Sequence, residues 1–251
     1  MKREWYFQQR VRNRQGTMLA NALLAAFLVF LVAGVPVLSA SSAGDTQVRQ
    51  MPRLALYLSA AVSQWVLAAL GLFVFWLGPL SASSLGFRNL APLTALAWAG
   101  AVVLLSVAGI RLGLFLQGRG WWPAETELVR LLVPETRREK VWAVLLLCPT
   151  AALCEEFLYR GLLLAQLSHW LRSAEWAWVF SSLAFGLAHF YQGWNGILRA
   201  SLLGLLLAFP VIHLGCLYPS MLAHGFIDAV ALVWLGPKIL ENREQGRGTR
   251  E

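Results

Sequence analysis

The stretch Val141–Leu164, VWAVLLLCPTAALCEEFLYRGLLL, decides the reading of this chain. It is long and apolar enough to cross a bilayer, which takes about 20 residues. Yet it carries Glu155, Glu156 and Arg160 near its middle. An ionisable side chain at membrane depth costs about 2.5–3.5 kcal/mol on insertion scales, so each needs a reason to be there. Glu156 and Arg160 are one helical turn apart, acid first, the favourable order for a pair. That pair neutralises itself. Glu155 is rotated about 100° from Glu156 and points along another face. A carboxylate left unpaired in a helical bundle must face a polar interior.

The rest of the chain sets the context for this segment. Of 251 residues, 58% are hydrophobic and 14% charged. A soluble domain is about a quarter charged. So few charges exclude a water-soluble enzyme, a disordered chain and a nucleic-acid-binding domain. The net charge of +8 does not revive the last reading. The basic residues gather in tails and loops, where Lys and Arg flank membrane spans. The expected fold is all-α, a polytopic bundle of about seven spans with an interfacial helix. The spans are expected at Met18–Leu38, Leu54–Leu77, Leu93–Ile110, Val141–Leu164, Glu175–His189, Ile197–Leu214 and Leu217–Leu235. Continuous apolar runs of this length favour helices over the alternating strands of a barrel.

Four regions follow from these boundaries: a basic segment at 1–16, spans and an amphipathic loop at 17–140, a core at 141–236 and a polar tail at 237–251. Segment 1–16 is expected to lie along the membrane surface, and its charge argues for an N-inside orientation. Ser41–Gly44, Gly78–Pro79 and Gly118–Pro123 read as loops. Glu125–Val133 reads as the interfacial helix, with Trp121 and Trp122 as headgroup-level anchors. Cys148, Cys154 and Cys216 form no metal-ligand or disulfide pattern and read as buried thiols.

Few other ionisable groups fall inside spans. His189 ends the fifth, and His224 and Asp228 lie one turn apart in the seventh. Counted from the membrane side where the fourth span ends, at 1.5 Å per residue, Glu155 lies roughly 14 Å in, His224 roughly 10 Å and His189 roughly 20 Å. These depths allow one shared pocket. His169 and His213 fall at the surface and are not part of it. A carboxylate and an imidazole can activate a water. A second imidazole with a short polar side chain can hold a developing oxyanion. That is the composition of a peptide hydrolase site. The same side chains could ligate zinc, with Glu155, His189 and His224 as the ligands, although no HExxH is present. The glutamate route needs no cofactor.

The three motifs, Glu155-Glu156…Arg160, Phe185…His189 and His224…Asp228, resemble the CAAX protease and bacteriocin-processing (CPBP, or Abi) family of intramembrane proteases. The likeness covers roughly Val141–Leu235 and includes Tyr159-Arg160-Gly161. It implies an intramembrane endopeptidase, of glutamate or metalloprotease type, acting on membrane-anchored or lipidated peptides, as in CAAX-box protein processing. By carry-over, Glu155 activates water with His189, His224 and Asp228 stabilise the oxyanion, and Glu156–Arg160 is largely structural. Asp228 stands where CAAX endopeptidases carry Asn, so it is expected to be protonated or to orient His224. Membrane lipid and a peptide substrate are the expected partners, with no nucleic acid. Compact size points to a bacterial plasma membrane. Two other readings stay open: a non-proteolytic immunity or scaffold protein of this fold, and a proton-coupled transporter, since intramembrane acids and histidines also relay protons.

Overall fold

The computed structural model describes residues 18–78, 80–121 and 127–236, and everything below concerns these. The basic segment 1–16, the tail 237–251, Trp122 and the start of the expected interfacial helix lie outside them. Among the described residues the fold is helical, without strands. Six helices are long and apolar enough to cross a membrane. Five of them are α1 (Met18–Gly44), α2 (Arg53–Leu77), α3 (Pro92–Gly118), α4 (Arg137–Leu171) and, late in the chain, α7 (Tyr218–Leu235). Between them lie α5 (Ala174–Ala188) and α6 (Gly193–Leu214); α6, with the 3₁₀ turn Phe190–Gln192 before it, is the sixth. The expected span that is not among these six is the fifth, Glu175–His189, which the structure forms as α5, a helix of 15 residues. That is shorter than the roughly 20 residues of a full crossing.

Several helices outrun their expected ends. Ser41 and Ser42 continue α1 where a loop was expected. Their hydroxyls donate to the Leu38 carbonyl at 2.8 and 2.7 Å, hydrogen bonds that the helix itself satisfies. Helix α3 runs past the exposed Arg111 to Gly118; a long cationic side chain can reach the surface from there. Helix α4 starts four residues before Val141 because Thr136 and Glu139 form a capping box: Thr136 Oγ1 accepts from Glu139 N, and Glu139 Oε2 accepts from Thr136 N. A short helix, Glu127–Leu132, stands within the expected interfacial segment. Tyr57 of α2 donates its hydroxyl to the Leu132 carbonyl at 2.8 Å, which holds that segment against the bundle.

Helix α4 is the axis of the molecule. Its most apolar window is 56% buried, against 22% for each of α1, α2 and α3. It packs against α2, α5 and α7. Leu158, Leu162 and Leu163 of α4 join Leu24, Leu28 and Leu31 of α1 and Phe185 of α5 in the largest core cluster. The other helices leave large apolar side chains exposed around the perimeter, such as Trp76, Leu93 and Leu104. In a membrane-spanning bundle those faces meet acyl chains. The chain is an integral multi-pass membrane protein.

Four segments widen into π-helix: Phe30–Gly34, Ala143–Leu147, Glu156–Leu163 and Val230–Leu235. A proline follows three of them by two residues: Pro36, Pro149 and, in the sequence, Pro237. Proline lacks an N–H and its ring crowds the carbonyl four residues back, and a wider turn relieves both. Pro210 sits inside regular α6, so a proline permits the widening without requiring it. Glu156–Leu163 has no such proline and is buried throughout.

Helices α5 and α6 approach closely through small residues, the usual route to tight helix contact in lipid. A Cβ on Gly186 would lie 1.9 Å from Ser201 Oγ and 2.6 Å from the Ile197 carbonyl oxygen. On Gly204 it would lie 3.1 Å from Ser182 Cα. Trp178 Nε1 donates across the same seam to the Leu205 carbonyl at 2.9 Å. Gly186→Val is therefore expected to destabilise the protein by about 2–3 kcal/mol, since the obstacle is backbone as well as side chain. Thermal unfolding in detergent measures this; an unchanged midpoint refutes the tight seam.

Candidate active site

The site forms where α4 meets α2, α5 and α7. Glu155 is the last residue of a regular α-helical stretch, and Glu156 opens the π segment behind it. The two neighbouring carboxylates diverge as their 100° offset requires.

Glu156 faces inward and is fully buried. Its Oε1 accepts two hydrogen bonds, from Arg160 Nη1 at 2.9 Å and from His224 Nδ1 at 2.7 Å. A carboxylate oxygen can only accept here, so Nδ1 carries a proton. The pair read from the sequence is thus a triad spanning two helices. Arg160 is 2% exposed and its guanidinium carbon sits 4.0 Å from the centre of the Phe185 ring, a cation–π contact.

Glu155 turns toward α2. Its Oε1 accepts from Gln64 Nε2 at 2.7 Å. Its Oε2 is buried with no hydrogen-bond partner and lies 3.8 Å from His224 Nε2. Asp228 Oδ2 approaches the same nitrogen at 3.5 Å. His224 is therefore the hub of the cluster. One ring nitrogen is anchored on Glu156 and the other faces Glu155 and Asp228.

His189 caps the end of α5. Its Nδ1 lies 2.8 Å from the Phe185 carbonyl, which only accepts, so Nδ1 is the donor. In the neutral ring the lone pair is then on Nε2. The Phe185 ring joins His189 to the rest: its centroid is 4.7 Å from the His189 ring and 6.0 Å from that of His224, both edge-on. Tyr159 also packs edge-on against Phe185, at 5.3 Å. Phe185, 1% exposed, thus packs against four polar side chains: Tyr159, Arg160, His189 and His224.

The structure brings Glu155, Glu156, Arg160, His224 and Asp228 into one cluster, with His189 beside it across Phe185. His169 and His213 are exposed and away from it, His213 bonding to its own helix through the Phe209 carbonyl. Among the described residues, no three His, Cys, Asp or Glu side chains group in a way that would hold a metal. Glu155, His189 and His224 are not assembled as a ligand set. The three cysteines are free thiols and buried. Gln64 is the site residue that a search for ionisable groups in spans passes over, because an amide carries no charge.

Residues 137–230 match the model of the Rce1-like family, described as type II CAAX prenyl endopeptidase Rce1-like, and the match spans every motif residue from Glu155 to Asp228. No curated protein and no solved structure matches the chain. Residues 137–230 of this integral multi-pass membrane protein are thus similar to the type II CAAX prenyl endopeptidase Rce1-like family.

Proposed function

We propose that this protein is an intramembrane endopeptidase in which Glu155 activates a water against a peptide bond of a membrane-associated substrate. Residues 141–236 would be its catalytic core. The observation that carries the reading is Glu155 Oε2, a buried carboxylate oxygen without a partner, 3.8 Å from an imidazole nitrogen. A single oxygen can hydrogen-bond both atoms at that separation, since each bond spans about 2.8 Å.

In this scheme the water oxygen attacks the scissile carbonyl carbon and its proton passes to Glu155. His189, whose Nε2 lone pair is free in the neutral ring, accepts the water's other proton in a hydrogen bond. In its doubly protonated form His224 gives Nδ1–H to Glu156 and Nε2–H to the developing oxyanion. Asp228 steadies that ring from the Nε2 side. Collapse of the tetrahedral intermediate breaks the C–N bond, and Glu155 hands its proton to the departing amine. A carboxylic acid and an amine leave. Glu156 and Arg160 touch no reacting atom; they hold His224.

The test is cleavage of fluorogenic membrane-anchored peptides by purified wild type and Glu155→Gln in detergent or proteoliposomes. Turnover by wild type alone is expected. Equal turnover by both, or none by either across lipidated and unlipidated peptides, sinks the reading in favour of a binding role for the same fold.

A further inference from the structure

Gln64 lies in α2, some seventy residues before the Rce1-like match begins. It stands in the mostly apolar run Leu54–Leu77, whose other polar side chains are the hydroxyls of Tyr57, Ser59 and Ser63, and it is partly buried there, where an amide costs free energy unless it is bonded. Its side chain makes one hydrogen bond, from Nε2 to Glu155 Oε1 at 2.7 Å, while its own Oε1 is buried without a partner. Among the described residues, the only group it serves is Glu155. The neighbouring Trp65 supplies a second tie between α2 and α4, donating Nε1 to Thr150 Oγ1 at 3.1 Å, so the helices stay joined without the amide.

The consequence concerns which oxygen of Glu155 reacts. A free carboxylate presents two equivalent oxygens and rotates about its last bond. With Oε1 bound to Gln64, that rotation stops and Oε2 is left directed at His224 Nε2. We propose that Gln64 is the positioning residue for Glu155, so that the site is completed by the N-terminal half of the chain and the matched domain alone does not contain it. The inference rests on Glu155 acting as the base.

Gln64→Met tests it, keeping the length of the side chain and removing the donor. A hydrogen bond to a charged group corresponds to about 10- to 100-fold in rate. We expect kcat to fall by that factor with KM unchanged, since the bond is made to the base and not to substrate. A spectroscopic readout needs no substrate. The infrared carboxyl band of Glu155, assigned by its loss in Glu155→Gln, is expected to shift in Gln64→Met, while the thermal midpoint stays near that of wild type. If Gln64→Met does not fold, Gln64→Asn, which withdraws the same amide by one methylene, answers the question. An unmoved band, or a wild-type kcat alongside active wild type, overturns the role of Gln64 and leaves the protease reading intact. Absence of turnover by wild type overturns both, because no base remains to be positioned.

Discussion

Glu155→Gln is expected to lower kcat/KM by about 10²- to 10⁴-fold, the range over which a positioned general base contributes. The exchange keeps volume and shape. Gln64 Nε2 can still donate to the new amide oxygen, so the link between α2 and α4 survives and the protein folds. What disappears is the lone-pair carboxylate at Oε2, 3.8 Å from His224 Nε2. His189, with its Nδ1 donated to the Phe185 carbonyl, still presents an Nε2 lone pair to the water in this scheme, and the residual rate measures what that contact alone supplies. The comparison to make is steady-state cleavage alongside thermal unfolding of the same preparations. A loss of activity with an unchanged midpoint is the expected pair of results. A loss below tenfold would mean that another group takes the proton.

The bundle was legible in the sequence because lipid leaves a chain few options. Spans must be apolar and helical, and the seven runs stand out without any knowledge of packing. The divergence of Glu155 from Glu156 was also legible, since it follows from helix geometry alone. Helix ends were less so. Thr136-x-x-Glu139 is a capping box written plainly in the sequence, yet a hydropathy reading starts the helix at Val141. Ser41 and Ser42 read as a loop until their hydroxyls are seen bonding to Leu38. The prolines at 36, 149 and 237 mark where a helix can widen, but the site's own π segment has no such marker. The bond between Glu156 and His224 joins residues 68 apart, and Gln64 meets Glu155 across 91. Such pairs depend on which faces of α2, α4 and α7 turn toward one another. That choice is made by packing around Leu158, Leu162 and Phe185, and no local pattern encodes it.

Glu156→Ala is expected to destabilise the protein by about 3–5 kcal/mol, the cost of breaking a buried ion pair by removing one partner. The cost is high here because two donors lose their acceptor together. Arg160 and His224 are each 2% exposed, so neither can turn to water. The double exchange Glu156→Gln with Arg160→Met separates stability from catalysis. It removes the buried cation along with the anion and supplies apolar volume in its place, a change that is often neutral or stabilising. Much of the lost stability should return. Activity should not, because His224 Nδ1 then faces an amide in place of the carboxylate that held its proton and its ring. If the pair were only a self-neutralising device in lipid, the double variant would recover cleavage together with its thermal midpoint. Recovery of both would remove Glu156 from any part in holding His224. A recovered midpoint with cleavage still lost would place the carboxylate's function in the orientation of the imidazole.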